Sequence, residues 1–312
     1  MKFLNQLIVM LCAIAMMTFS SCGNNVEEIW INNDGSGKYE MTQDLSQLLP
    51  FAQMLMMSDE EEEMGEEEME GEANVKDEGM KKLKEIFSRG VIDTSFVIEN
   101  LAKEMAAKKG ETFSIENMKQ KIYEDAGKDG FKMTDKQKTA LGDFMEGILK
   151  STLNIKMNVD QNLLKMTTSQ RFGGFDKMMF SNMEELFNMF ADSEVASSNE
   201  DLAKIQQAKQ MLGSIPQYSI KGNTIFITRD ALDMDAMDPE QKQSMQMMQG
   251  MMGATDYKTI IHVPGKVKGV NQSAATYKGS TVTWTIPYKD LYDPSKDLDL
   301  RIKFKPKKKI KY

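Results

Sequence analysis

The chain has 312 residues, 29 methionines, one histidine, two cysteines and a formal net charge of -8. That length allows one sizeable core or two smaller ones, and the acidic balance argues against nucleic acid, which needs clustered positive charge. One histidine excludes a histidine-cluster metal site, and with both cysteines (Cys12 and Cys22) at the start of the chain, the remainder has no thiol for a disulfide, a nucleophile or a thiolate metal site.

Lys2 precedes an apolar run through Met17, and the run ends in Phe19-Ser20-Ser21-Cys22-Gly23. A charged start, a short apolar stretch and a small-residue site describe a secretory signal. The run is shorter than the roughly 20 residues of a membrane span. The small pair before Cys22 resembles the lipobox of bacterial lipoproteins. That resemblance implies a signal peptide over residues 1–21, cleavage before Cys22, and lipid (palmitate included) on the new N-terminus. Residues 22–312 would then be a domain held stably at a membrane. By the same resemblance Gly23, which is not aspartate, points to the outer membrane of the cell envelope.

The tether after Cys22 is very short. Residues 26–33 read as a strand with Ile29 and Ile31 on one face and Trp30 on the other. Asn32-Asn33-Asp34-Gly35-Ser36-Gly37 is a turn signal, and residues 38–42 read as the returning strand. Asp44 caps an expected helix over 45–57, which Pro50 kinks or splits. Residues 59–72 are almost wholly acidic and predict a solvated loop. Such a loop offers carboxylates to hard cations without any fixed calcium-loop spacing.

A short helix is expected over 79–88 and a strand over 91–99. Helical segments follow over 101–109, from the Ser114 cap to about residue 125, and from Thr134 with Gln137 in the capping-box position. Gly142 and Gly147 weaken that last helix. Leu153, Ile155, Met157 and Val159 alternate with Asn154, Lys156 and Asn158, a half-buried strand, and residues 164–172 return beside it. Helices are expected from Asn182 to Phe190 and over 200–212. Gly222-Asn223 joins two strands in a hairpin. After helical or loop composition over 231–253, strands are expected over 257–263, continuing after Pro264-Gly265 through 270, then over 281–286 and 298–304. Asp299, Arg301 and Lys303 alternate with Leu298, Leu300, Ile302 and Phe304 in the last of these, which suits an exposed or edge strand.

Few motifs carry chemistry. Asp125-x-x-x-Asp129-Gly130 fails as a calcium loop, since Gly127 and Lys136 occupy ligand positions. His262 lies in an apolar strand and reads as structural or superficial. Neither a Gly-x-Ser-x-Gly elbow nor a His-Glu-x-x-His pair is present. The acids are too numerous to single out a glycosidase pair. Met245, Met247, Met248, Met251 and Met252 form a dense group. They fit packing, an adaptable apolar surface for a lipid or peptide, or soft copper ligation. Arg301, Lys303, Lys305, Lys307, Lys308, Lys309 and Lys311 form a basic stripe. It fits a solvated tail, contact with acidic headgroups or envelope polysaccharide, or pairing with residues 59–72.

Tyr257-Lys-Thr-Ile-Ile-His-Val-Pro-Gly-Lys-Val and Gly279-Ser-Thr-Val-Thr-Trp284 resemble a strand pattern of LppM-like bacterial lipoproteins. Asp34-Gly35-Ser36-Gly37, soon after Cys22, is similar to their opening hairpin. The arrangement resembles uncharacterised envelope lipoproteins of the Bacteroidetes type. The resemblance covers about a third of the mature chain, and implies an α+β envelope domain that handles lipid or glycolipid. The expected architecture is therefore α+β: an antiparallel sheet of N- and C-terminal strands, with helical insertions that cover it or form a side lobe at about 100–215. The expected function is non-enzymatic binding of a lipid, glycan or envelope protein by a lipid-anchored domain, with no cofactor. The alternatives are an unfamiliar hydrolase using a carboxylate pair, and methionine-based copper handling.

Overall fold

A computed structural model describes residues 25–50, 90–108, 110, 112–128, 133–178, 216–229, 231, 242–243 and 256–306. The expected helices at 79–88, 182–190 and 200–212, the acidic stretch 59–72 and most of 231–253 lie outside these residues.

The opening hairpin forms as expected. Strands β1 (Asn25–Ile31) and β2 (Gly37–Asp44) pair antiparallel. Asp34 Oδ1 accepts from the Ser36 backbone N–H at 3.0 Å, and Gly35 takes φ +83° at the turn. Gly37 is needed for a different reason. A Cβ there would lie 2.0 Å from the Trp30 carbonyl oxygen and 2.4 Å from the Phe172 ring. The segment after β2 begins as a 3-10 turn at Ser46–Leu48, where Asp44 Oδ1 accepts from the Ser46 N–H at 3.1 Å.

Strand β3 (Val91–Val97) runs directly into helix α1 (Ile98–Lys108), three residues earlier than the sequence suggested. Helix α2 (Ile115–Lys128) continues through Ala126, which is fully buried, and so runs past the expected end near residue 125. Helix α3 (Asp135–Leu149) starts with the expected capping box between Thr134 and Gln137. Its glycines do not break it. A Cβ on Gly142 would stand 2.9 Å from the Tyr123 hydroxyl, so glycine permits the approach of α2. That hydroxyl donates to the Lys138 carbonyl at 2.8 Å and ties the two helices together.

Strands β4 (Thr152–Asn158) and β5 (Leu163–Phe172) pair antiparallel, and β5 also pairs with β2. Strands β6 (Gln217–Lys221) and β7 (Thr224–Thr228) form the expected hairpin. Strands β8 (Asp256–His262), β9 (Gly265–Val270), β10 (Ala275–Lys278), β11 (Thr281–Pro287) and β12 (Leu300–Pro306) complete the fold.

The strands make two sheets. An eight-stranded sheet has the order β10-β11-β8-β1-β2-β5-β4-β3, and a four-stranded sheet has the order β6-β7-β12-β9. The protein is therefore α+β, with N- and C-terminal strands neighbours in the larger sheet. Three details differ from expectation. The larger sheet is mixed, because β1 and β8 pair parallel. After the Pro264-Gly265 bend the chain does not continue β8 but crosses to the smaller sheet, where β9 pairs with β12. Strand β12 is central there rather than an edge, flanked by β7 and β9. Its alternating charges mark the solvent side of a paired strand.

The inward faces of the two sheets share one buried cluster. Ile29, Ile261, Val282 and Trp284 come from the larger sheet, and Ile225, Ile227, Leu300 and Ile302 from the smaller. Leu141, Phe144 and Met145 of α3 join the same cluster with Phe172 and Phe175. Such burial is the main driving force for the fold.

Candidate functional site: a basic sheet face

Alternation in a strand sends every second side chain to the opposite face. On β12 the inward set is Leu300, Ile302 and Phe304, all buried, so Arg301, Lys303 and Lys305 must point outward, where they are exposed. On β9 Val267 is buried, while Lys266 and Lys268 are exposed. On β6 Tyr218 is buried and Lys221, at the strand end, is exposed. Register brings these positions together. Lys305 pairs with Lys266, Lys303 with Gly269 and Thr224, and Arg301 with Phe226. Lys221 stands over the Phe226 ring, its Nζ 5.9 Å from the ring centre.

The outer side of this sheet thus carries Lys221, Lys266, Lys268, Arg301, Lys303 and Lys305. Its remaining outward positions on β6 and β7 are Gln217, Ser219, Thr224, Phe226 and Thr228, with no acid among them. None of the six cations forms an ion pair with a described residue. The backbones of Lys305 and Lys266 stand about 5 Å apart across strands, and those of Arg301, Lys303 and Lys305 about 7 Å apart along one. Like charges at that spacing repel one another, and a polyanion relieves the repulsion while releasing its own counterions.

Lys305 is the member of the expected basic stripe that lies on this face, with Arg301 and Lys303. Lys307, Lys308, Lys309 and Lys311 lie outside the described residues, as do Cys22 and Met245, Met247, Met248, Met251 and Met252. Sequence reasoning did not join Lys221, Lys266 and Lys268 to the stripe. The Lys-x-Lys alternation at 266–268 was visible, but its pairing partner was not.

Two other polar groupings bear on function. On the outer side of the larger sheet, register places Lys38, Trp30, His262 and Thr281 in one row across four strands. The His262 ring stacks on Trp30 at 5.2 Å between centres and 6° between planes. Lys38 Nζ lies 5.2 Å over the other ring of the pair, that of Trp30. With its proton on Nε2, His262 donates to Glu28 Oε1 at 2.7 Å and accepts from Thr281 Oγ1 at 3.1 Å. A Glu-His-Thr chain has the residue types of an acyl-transfer relay. Here both ring nitrogens are engaged by neighbours that strand pairing itself supplies, in keeping with the structural or surface role read from the sequence.

The second grouping lies between the sheets. Glu27 is fully buried on β1 and accepts from the hydroxyls of Tyr218, Tyr257 (3.1 Å) and Thr259 (3.2 Å). Burial, and then the charge of Glu27, push the Tyr39, Tyr218 and Tyr257 phenols well up, so they remain protonated donors. Arg229, also buried, stacks on Tyr257 with its guanidinium carbon 4.2 Å from the ring centre. Burial disfavours the charge of Arg229, but the facing Tyr257 and Glu27 groups outweigh that and raise its pKa. Glu27 shares its parity with Ile29 and Ile31, and that was the signal in the sequence for an acid placed inside.

Among the described residues no group of three or more His, Cys, Asp or Glu is arranged to hold a metal ion. None of the described helices is long and apolar enough to cross a membrane.

No protein-family model matches the chain. No curated protein matches it. Among solved structures, the chain is similar to the folded domain of Mycobacterium tuberculosis LppM, determined by NMR. The TM-score is 0.30 and the identity 10%, with 92% of this chain and 91% of that chain covered.

Proposed function

We propose that this chain is a lipid-anchored cell-envelope protein that binds an acidic polysaccharide through the outer face of its smaller sheet. The carrying observation is that face: six exposed cations with no acid among the outward residues of its strands, and only Asp299 just before β12 at their parity, in a chain of net charge -8. The lipobox-like residues before Cys22 support the anchor, and Gly23 supports the outer membrane. Cys22 is three residues from Asn25, so the end of β1 lies within roughly 10 Å of the lipidated residue. Cations spread over β6, β9 and β12 suit a repeating acidic polymer, which meets several of them at once. The role is binding rather than catalysis.

The test uses the full chain purified from membranes in mild detergent, with immobilised dextran sulfate and neutral dextran as probes. Retention on dextran sulfate alone, falling steeply with salt, is expected. The exposed triple variant Arg301→Gln/Lys303→Gln/Lys305→Gln should lose about tenfold or more in affinity. Equal retention on neutral dextran, or an unaffected triple variant, would sink the reading. Capture by phosphatidylglycerol vesicles without capture by dextran sulfate would assign the face to headgroups instead. The anchor is tested separately: Cys22→Ala should move the protein out of the membrane fraction.

A further inference from the structure

We propose that the strand ends where β1 begins and β2 and β7 finish hold a small, singly charged oxyanion, a carboxylate or a phosphodiester, bound by Arg229, Asn25 and Gln43. This site is distinct from the basic face and does not depend on it.

Among the described residues, five buried side-chain polar atoms have no hydrogen-bond partner: Nε and Nη1 of Arg229, Nδ2 and Oδ1 of Asn25, and Nε2 of Gln43. Buried polar groups are nearly always satisfied, and each exception carries an uncompensated desolvation penalty, larger when the group is charged. These five belong to one neighbourhood. Asn25 pairs in register with Gln43 on one side and Tyr257 on the other, and Arg229 lies on the Tyr257 ring. All three side chains are more than nine-tenths buried.

Their chemistry selects the ligand. Four of the five atoms are donors and one is an acceptor. The guanidinium adds a positive charge, and its Nε and Nη1 each keep a hydrogen to donate to an oxygen. Glu27 accepts from neither of these nitrogens. Its carboxylate is satisfied by the hydroxyls of Tyr218, Tyr257 and Thr259. The nearby charge of Glu27 disfavours a doubly charged guest and leaves the singly charged oxyanions. Asn25 opens β1, Gln43 is next to last in β2 and Arg229 follows the end of β7, so the donors lie at strand ends rather than in mid-sheet.

The experiment follows thermal unfolding of the full chain in detergent against acetate and against dimethyl phosphate, at constant ionic strength. A saturable rise in Tm with either probe is expected. Gln43→Met and Asn25→Leu remove unsatisfied groups without removing the charge. Each should unfold no lower than the parent in probe-free buffer, yet lose about tenfold or more in probe affinity. Arg301→Gln/Lys303→Gln/Lys305→Gln should keep the full response, which separates this site from the basic face. No saturable rise with either probe, or a rise unchanged in both Gln43→Met and Asn25→Leu, would overturn the proposal. Native mass spectrometry of the membrane-purified protein then distinguishes the sources. An adduct removed by organic solvent is a lipid phosphodiester, and one removed by aqueous dialysis is a free small anion.

Discussion

Glu27 shows how much one buried acid can organise. Three hydroxyls donate to it and Arg229 stands close by, so its removal strands several partners at once. Glu27→Ala is expected to cost about 3 kcal/mol or more, read as a lower midpoint in urea unfolding. Tyr257→Phe removes one donor and should cost about 1 kcal/mol. Glu146 tests a milder case. Lys150, then Lys119 at 3.0 Å, hold its carboxyl down from 4.5 to about 2. A depressed folded value means stability present above the unfolded value and lost as pH falls through the folded one. That contribution should fade between pH 4.5 and about 2, and the exposed setting keeps it to a fraction of a kcal/mol. NMR titration should place the Glu146 midpoint near 2, and Lys150→Met should raise it. At this scale the sequence was partly legible. The parity of β1 marked Glu27 as inward, but nothing local marked Tyr218 or Arg229 as its company, because they arrive from another sheet.

Gly37 illustrates an element whose requirement lies outside its own motif. In the sequence it closes an Asp-Gly-Ser-Gly turn. In the fold it opens β2 beneath Phe172, against the Trp30 carbonyl. Gly37→Ala should therefore destabilise by more than about 2 kcal/mol by chemical denaturation. Gly35→Ala meets no neighbouring atom and should cost only the strain of its positive φ, about 1 kcal/mol. Thr134→Ala should cost about 1 kcal/mol through the lost cap on α3. Hairpins and caps were readable because their determinants lie within a few residues. The place of β12 was not, since alternation reports which side of a strand is wet and says nothing of its neighbours. Strand β10 went unread altogether: only Ala275 of its four residues is buried, so no alternation marks it.

At the scale of the molecule, net charge and local charge disagree. A protein with a sequence pI near 5.0 should pass through a cation exchanger at neutral pH. The basic face predicts retention at low salt, weakened in Arg301→Gln/Lys303→Gln/Lys305→Gln and visible as earlier elution. Composition hid this face, because averaging over the chain erases segregation that strand pairing creates. The parallel pairing of β1 with β8 has a temporal consequence. Glu27 meets Thr259 across 232 positions of chain. Contacts between such remote segments are slow to form, since loop closure precedes any reward. The strand nearest Cys22 therefore waits, open along one side, until most of the polypeptide has been made. Through that interval the edge where β8 will later bind stays unpaired, the kind of open edge that can template association between chains.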